Sequence, residues 1–222
     1  MGNLAKRCVF VTGATGYLGR PLTERLLDRG HAVRALVRAA SASRLPPRAE
    51  PVVGDALDPA TYASRIQRGD VLVHLVGVAH PSPAKAAEFQ SIDRASIRAA
   101  TDAARTGGAS RFVYVSVAQP APIMKAYLAV RAAGEAMVRD TGLPASILRP
   151  WYVLGPGHRW PVVLLPLYAA AWLFPASRET SRRLGLITRP TMIRALVRSV
   201  ESDRPGVEIL DVPALRSTGR AD

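Results

Sequence analysis

The chain has a single cysteine, Cys8, among 222 residues. An internal disulfide framework is therefore excluded. Cys8 reads as a small buried residue at the start of a strand. Lysine is scarce as well: Lys6, Lys85 and Lys125 are the only lysines among 30 basic residues, so the formal net charge of +13 is carried by arginine. Those arginines are scattered rather than interleaved with aromatics, which make up 6% of the chain. No nucleic-acid-reading motif emerges, and charge alone supplies only non-specific affinity. Arginine together with abundant alanine, glycine and proline also fits a GC-rich coding sequence. No apolar run reaches the roughly 20 residues of a membrane span. The nearest is Trp160–Ala176, uncharged but interrupted by Pro161, Pro166 and Pro175. No basic-then-apolar leader opens the chain, so a cytoplasmic location is expected. One absence is local: no Asp or Glu occurs between Gly30 and Glu50.

What is present organises around residues 9–19. Val9, Phe10 and Val11 form a continuous apolar run, the mark of a central parallel strand covered on both faces. Gly13, Gly16 and Gly19 follow at three-residue steps. Leu18, Leu22 and Leu26 then repeat at helical spacing, and Gly30 ends the helix. A strand, a glycine turn and a helix make a dinucleotide seat. The first glycine allows the tight turn, the second lets backbone approach a pyrophosphate, and the third lets helix pack on strand. The helix N-terminus offers free N–H groups to phosphate. Thr15, Tyr17 and Leu18 complete the turn. A second strand follows at residues 31–37 and ends in Arg38. A ribose-binding carboxylate is expected near that point in an NAD-preferring fold, and here a cation stands instead. Arg38, with Arg44 nearby, suits a 2′-phosphate through its forked donors. NADP(H) is therefore favoured over NAD(H).

Thr12-Gly13-Ala14-Thr15-Gly16-Tyr17-Leu18-Gly19 resembles the TGxxGxxG signature of the short-chain dehydrogenase/reductase superfamily, in its extended and atypical branches. NmrA-like, complex-I accessory-subunit-like and epimerase/dehydratase proteins are the relatives meant. The resemblance covers about residues 5–155. It implies a doubly wound parallel α/β (Rossmann) fold over residues 1–222, with residues 151–222 as a small substrate-side lobe. Gly54-Asp55-Ala56-Leu57-Asp58 matches the stretch that contacts adenine in the family, which assigns Asp55 and Ala56 to the cofactor. Asp58 before Pro59 reads as a helix cap. The strand at 70–76 ends in Leu75-Val76-Gly77, which resembles the turn that lies along the cofactor. His74 within that strand reads as a core histidine, and His80 belongs to a proline-rich loop over the pocket, as a weak substrate contact.

The rest of the order alternates as expected: a short helix at 61–68, a long helix at 85–106, a strand at 111–116, a helix at 123–141 and a strand at 146–149. Reductases of the superfamily use a serine after the fifth strand and a Tyr-x-x-x-Lys on the next helix. Residues four apart share a helix face, and a cation there favours ionisation of the phenol. Ser116 matches the serine and Tyr127 the tyrosine, but Arg131 occupies the lysine position. The resemblance makes Tyr127 the acid/base, Ser116 the oxyanion partner, and Arg131 the electrostatic and cofactor-ribose residue. Arginine keeps the charge but does not share its proton readily. Two readings follow: hydride transfer to a small carbonyl, sugar-like or apolar substrate, or a non-catalytic NADP(H)-binding regulator or assembly subunit.

Pro150 opens a turn through Gly157 that resembles the LRPxxVxGPG turn near the nicotinamide. The apolar stretch Trp160–Ala176 reads as a cover for an apolar pocket, with peripheral membrane or protein contact as the alternative. A homodimer is a further expectation from the superfamily. A helix at 191–200, a last strand at 207–212 and a frayed tail from Arg216 complete the expected order.

Overall fold

The computed structural model describes residues 5–79, 81–121, 123–157 and 183–218. His80 and Trp160–Ala176 lie outside the described residues. Seven strands form one parallel sheet in the order β3-β2-β1-β4-β5-β6-β9. They are β1 (Cys8–Thr12), β2 (Ala32–Val37), β3 (Glu50–Val53), β4 (Val71–His74), β5 (Arg111–Val115), β6 (Ala145–Leu148) and β9 (Val207–Leu210). A separate parallel pair joins β7 (Tyr152–Leu154) to β8 (Leu186–Thr188). Among the described residues the α-helices are α1 (Gly19–Asp28), α2 (Ala86–Glu88), α3 (Ala95–Gly107), α4 (Lys125–Asp140), α5 (Arg189–Glu201) and α6 (Val212–Thr218).

The apolar run of β1 divides between the two faces of the sheet. Val9 and Val11 join a core with Leu22 and Leu26 of α1, Met192 and Leu196 of α5, and Leu215 of α6. Phe10 points the other way, into a core with Ile97 of α3, Val138 of α4, and Tyr62. Period-two alternation sends consecutive side chains to opposite faces, and both faces are covered, so every position must be apolar. The strand order reverses between β1 and β4, and the chain leaves the two strands in opposite directions. That divergence opens a crevice at their C-terminal ends.

Several local expectations are corrected. Cys8 is exposed, because burial in β1 begins only at Val9. The helix expected at 61–68 is two single 3₁₀ turns, Pro59–Thr61 and Ala63–Arg65, with Asp58 capping the first through Ala60 N. The sequence Val52-Val53-Gly54-Asp55 reads as a short third strand with Asp55 at its end, but β3 covers Glu50–Val53 and Asp55 lies in the following loop. The long helix expected from residue 85 is interrupted by a π-helical turn over Phe89–Arg94. The last strand stops at Leu210, and α6 continues through Thr218 where a frayed tail is expected.

At the opposite end of the sheet from the crevice, Arg34 of β2 donates from Nη2 to both carboxylate oxygens of Asp70, each at 2.7 Å. Arg34 is 8% and Asp70 1% exposed, so both charges have left water and depend on each other. Asp70 also accepts from Gln67 N, and Arg34 donates to Arg65 O. Asp70→Ala strands the guanidinium, and a loss of about 3–5 kcal/mol of unfolding free energy is expected. A denaturation midpoint unchanged from the parent protein refutes this role for the pair.

Candidate functional site

The glycine turn is built as the spacing requires. Gly13 has φ +75°, and a Cβ there would sit 2.9 Å from the Leu75 carbonyl carbon. Gly16 N donates to Gly13 O at 3.0 Å and closes the turn. A Cβ on Gly19 would collide with Gly13 O. Helix α1 then starts after Leu18, which contributes no side-chain cap; Arg20 N donates to Gly16 O at 3.2 Å, and Pro21 has no N–H to satisfy. No acid lies in that first turn.

A cleft of about 430 Å3 opens over this turn. Its floor includes Gly13, Thr15 and Gly16, and Leu75, Val76 and Gly77 on the β4 side. Arg38, Ser41 and Arg44 form one rim, and Asp55, Ala56 and Leu57 another. The Asp55 carboxylate accepts from Leu57 N at 2.9 Å. A larger groove of about 590 Å3 runs along α3 and α4, but Arg94, Arg98, Asp102, Arg105 and Asp140 line it without any glycine backbone. Size therefore does not mark the nucleotide site; backbone that a phosphate can approach does. Gly13, Gly16 and Gly77 put bare backbone on the lining of this cleft, as close approach of a dinucleotide requires.

Arg131 lies beneath Gly77. A Cβ on Gly77 would strike Arg131 Nη2 and lie 3.0 Å from Asp93 Oδ1. The guanidinium is only 7% exposed. Its Nη2 is 2.5 Å from Asp93 Oδ1, and its Nη1 donates to Val115 O at 3.1 Å and to the Tyr114 hydroxyl at 3.4 Å. Its carbon lies 5.1 Å from the Tyr127 ring centroid and 5.9 Å from that of Tyr114. Burial pulls the Arg131 pKa down, but Tyr127, Tyr114 and Asp93 outweigh it and the net shift is upward. Burial pushes the Asp93 carboxyl up, against the pull of Arg131 and the Val78 N–H. Arg131 Nε is buried and makes no hydrogen bond among the described residues. The π turn delivers Asp93 to this spot and seats Phe89 4.9 Å from the Tyr127 ring. Irregular turns of this kind are frequent at functional sites.

Tyr127 and Arg131 are thus brought together; Ser116 is turned elsewhere. Its hydroxyl donates to Glu135 Oε1 at 2.7 Å, and the residue is 4% exposed. Glu135 also accepts from Gln119 Nε2 at 2.7 Å, from Arg149 Nε at 2.8 Å and Nη2 at 2.5 Å, and from Arg139 at 3.1 Å. Burial alone would raise the Glu135 pKa, but donors led by Arg149 and Ser116 hold it below the usual carboxylate range. Pro150 sits beside this loop and accepts from Ala118 N at 2.9 Å. Tyr17 leaves the turn toward the C-terminal segment and donates to Val153 O at 3.4 Å. Sequence reading missed Asp93 and Glu135. The spacing of Glu135 four residues after Arg131 and four before Arg139 is the signal that was available.

A family described as NAD(P)H-binding matches residues 13–160. The chain belongs to that NAD(P)H-binding family. A ceramide reductase of Caulobacter vibrioides is 32% identical over 184 residues, covering 82% of this chain and 57% of that protein. A 3-diazoavenalumate denitrifying reductase of Streptomyces is 33% identical over 175 residues, covering 67% and 57%. The chain thus spans little more than half the length of these curated relatives. The solved structure of Bordetella bronchiseptica WbmH in complex with NAD+ superposes with a TM-score of 0.69 at 22% identity, over 93% of this chain and 76% of that one. That likeness establishes the fold. Among the described residues, no helix is long and apolar enough to cross a membrane.

His74 lies at the base of the crevice and is a core residue. Its Nδ1 is 2.9 Å from Thr12 Oγ1, and its Nε2 is 3.4 Å from Ser96 Oγ. Burial, helped by the Arg131 charge, lowers its pKa to about 3. The unfolded chain binds this proton near pH 6.5 while the folded one refuses it, so His74 favours the fold fully above that value. Stability is expected to fall as pH drops from 6.5 toward 3. His74→Gln should flatten that slope in unfolding titrations; an unaltered slope would falsify the linkage.

Proposed function

We propose that the protein is an NADPH-dependent reductase acting on a carbonyl of a small, apolar substrate. The rim of the cleft at the end of β2 carries this reading. Arg38, Ser41 and Arg44 line it, and no Asp or Glu follows β2 before Glu50. A carboxylate there would hold a ribose 2′-hydroxyl, whereas guanidinium groups favour a 2′-phosphate. The names of the curated relatives support reduction, and ceramide supports an apolar substrate.

The bound nicotinamide would supply the hydride. In this reading, Tyr127 gives a proton to the substrate oxygen. Arg131 keeps a permanent positive charge beneath that ring, with Asp93 fixing its position. In this reading, Arg131 acts as an electrostatic support and holds its protons. Ser116 is the oxyanion partner of the same reading, and contact with substrate would require its hydroxyl to leave Glu135.

A second reading has its own support: Ser116 and Arg131 are both already engaged by carboxylates. A non-catalytic NADP(H)-binding regulator or assembly subunit requires neither to be free.

Two variants separate these readings. Arg38→Glu should weaken NADPH by about tenfold more than NADH in calorimetric titration, given a charge-assisted contact turned repulsive; equal losses remove the 2′-phosphate assignment. Tyr127→Phe should lower NADPH-consuming turnover on apolar ketones and aldehydes by about 100-fold or more with cofactor affinity kept. Equal rates for parent and variant exclude Tyr127 as the proton donor, and a parent protein that binds NADPH without turnover favours the regulator.

A further inference from the structure

We propose that a second cleft, adjoining the first across Thr15 and Gly16, is a seat for a phosphomonoester dianion held by Arg20, Arg44 and Arg189. The source of that phosphate follows from the NADPH reading above, which makes it the cofactor 2′-phosphate, seated where Arg44 joins this cleft to the Arg38 rim of the first; a phosphorylated substrate is the other source of the same chemistry.

The cleft measures about 290 Å3, and Thr15, Gly16 and Tyr17 border it. Three guanidinium groups enter from three separate elements: Arg20 from α1, Arg44 from the turn after β2, and Arg189 as the first residue of α5. Among the described residues, no acidic residue lines it. Elsewhere Arg29 pairs with Glu201, Arg34 with Asp70, Arg131 with Asp93 and Arg149 with Glu135, while buried Arg111 donates to the carbonyls of Ser199 and Arg204. Arg44 and Arg189 have no carboxylate partner among the described residues. Arg20 has only an exposed contact with Glu24 one turn away, at 3.2 Å, which contributes little. Converging like charges repel, and an anion turns that repulsion into binding.

Arg189 is held in place for this. Its guanidinium carbon lies 5.2 Å from the Tyr17 ring centroid. Gly155 makes room behind it: a Cβ there would collide with the Tyr17 hydroxyl and sit 3.1 Å from Arg189 Cβ. A cation resting on an aromatic face is attracted to it and loses little on gaining a phosphate. Thr15, Gly16 and Arg44 line both clefts, so one ligand can occupy the two together. The planar forks of three arginines match the oxygens of a phosphomonoester.

The consequence reaches the substrate side. Arg189 begins α5, and β8 directly before it pairs with β7. A phosphate in the seat therefore ties the glycine turn to the C-terminal segment, which a cofactor lacking that phosphate does not do. Specificity for NADPH would then depend on Arg189, far in sequence from the β2 turn that usually sets it.

The test is calorimetric titration of the full chain with NADPH, NADH and inorganic phosphate, for the parent protein, Arg189→Gln and Arg189→Lys. Arg189→Gln should cost about tenfold in NADPH affinity, the loss of one charge-assisted contact, with NADH affinity kept and Arg189→Lys intermediate. Phosphate should compete with NADPH in the parent protein and leave NADH binding alone. Equal losses for both cofactors, or none, overturn the assignment to the 2′-phosphate. If the parent protein does not prefer NADPH, the reading of the β2 rim fails and phosphate alone decides the seat. Phosphate binding to cofactor-loaded protein that disappears in Arg189→Gln then assigns the seat to a substrate phosphate. Phosphate binding that ignores Arg189, or no binding, overturns the seat itself.

Discussion

A seven-stranded parallel sheet cannot leave either face in water, and this requirement organises the whole molecule. Each strand must return by a crossover, and helices on both faces must cover the apolar side chains. All strand C-termini then lie on one edge. Because the order reverses between β1 and β4, the covering layers part at that edge and leave backbone exposed between them. The glycines at 13, 16, 19 and 77 stand around this gap. The nucleotide cleft is therefore a consequence of strand order, and glycine spacing adapts it to a phosphate chain.

The second constraint is electrostatic. Several arginines that enter the interior of this chain are matched by carboxylates that enter with them. Asp93 meets Arg131 under the cleft floor, and Glu135 meets Arg149 behind β5 and β6. Removing either partner leaves a buried charge, so such pairs hold the geometry more than they add net stability. Their locations matter for function. One pair fixes the cation beneath Tyr127, and the other fixes the loop that carries Ser116. Arg44 and Arg189 at the second cleft are the contrast, since neither meets a carboxylate among the described residues.

The glycine turn was legible because its requirements are local: positive φ at Gly13, and no side chain between α1 and β1 at Gly19. Arg38 was legible for a similar reason, being the next residue after a recognisable apolar strand. The place of Tyr127 beside Arg131 follows from helical spacing alone. Asp93 was not legible. Its position depends on a π-helical turn, and nothing in Phe89–Arg94 distinguishes that turn from ordinary helix before α4 packs against it. The hydroxyl of Ser116 was placed by its motif but aimed by Glu135, a residue on another element. Cys8 was misjudged by a single position, because burial begins inside the strand rather than at its first residue.

Sequence alone determined the fold class, the dinucleotide turn and the sign of charge at the end of β2. Each rests on residues within one turn or one strand of each other, where steric and dihedral rules act without the rest of the chain. Tertiary structure decided which charges are spent and which are free. Arg131, Arg34, Arg44 and Arg189 are alike in the sequence, yet the first two are neutralised in the interior and the last two converge at a cleft. Electrostatic pairing depends on distance in space and on burial, and those are set only when β1, β4, α4 and α5 have packed together.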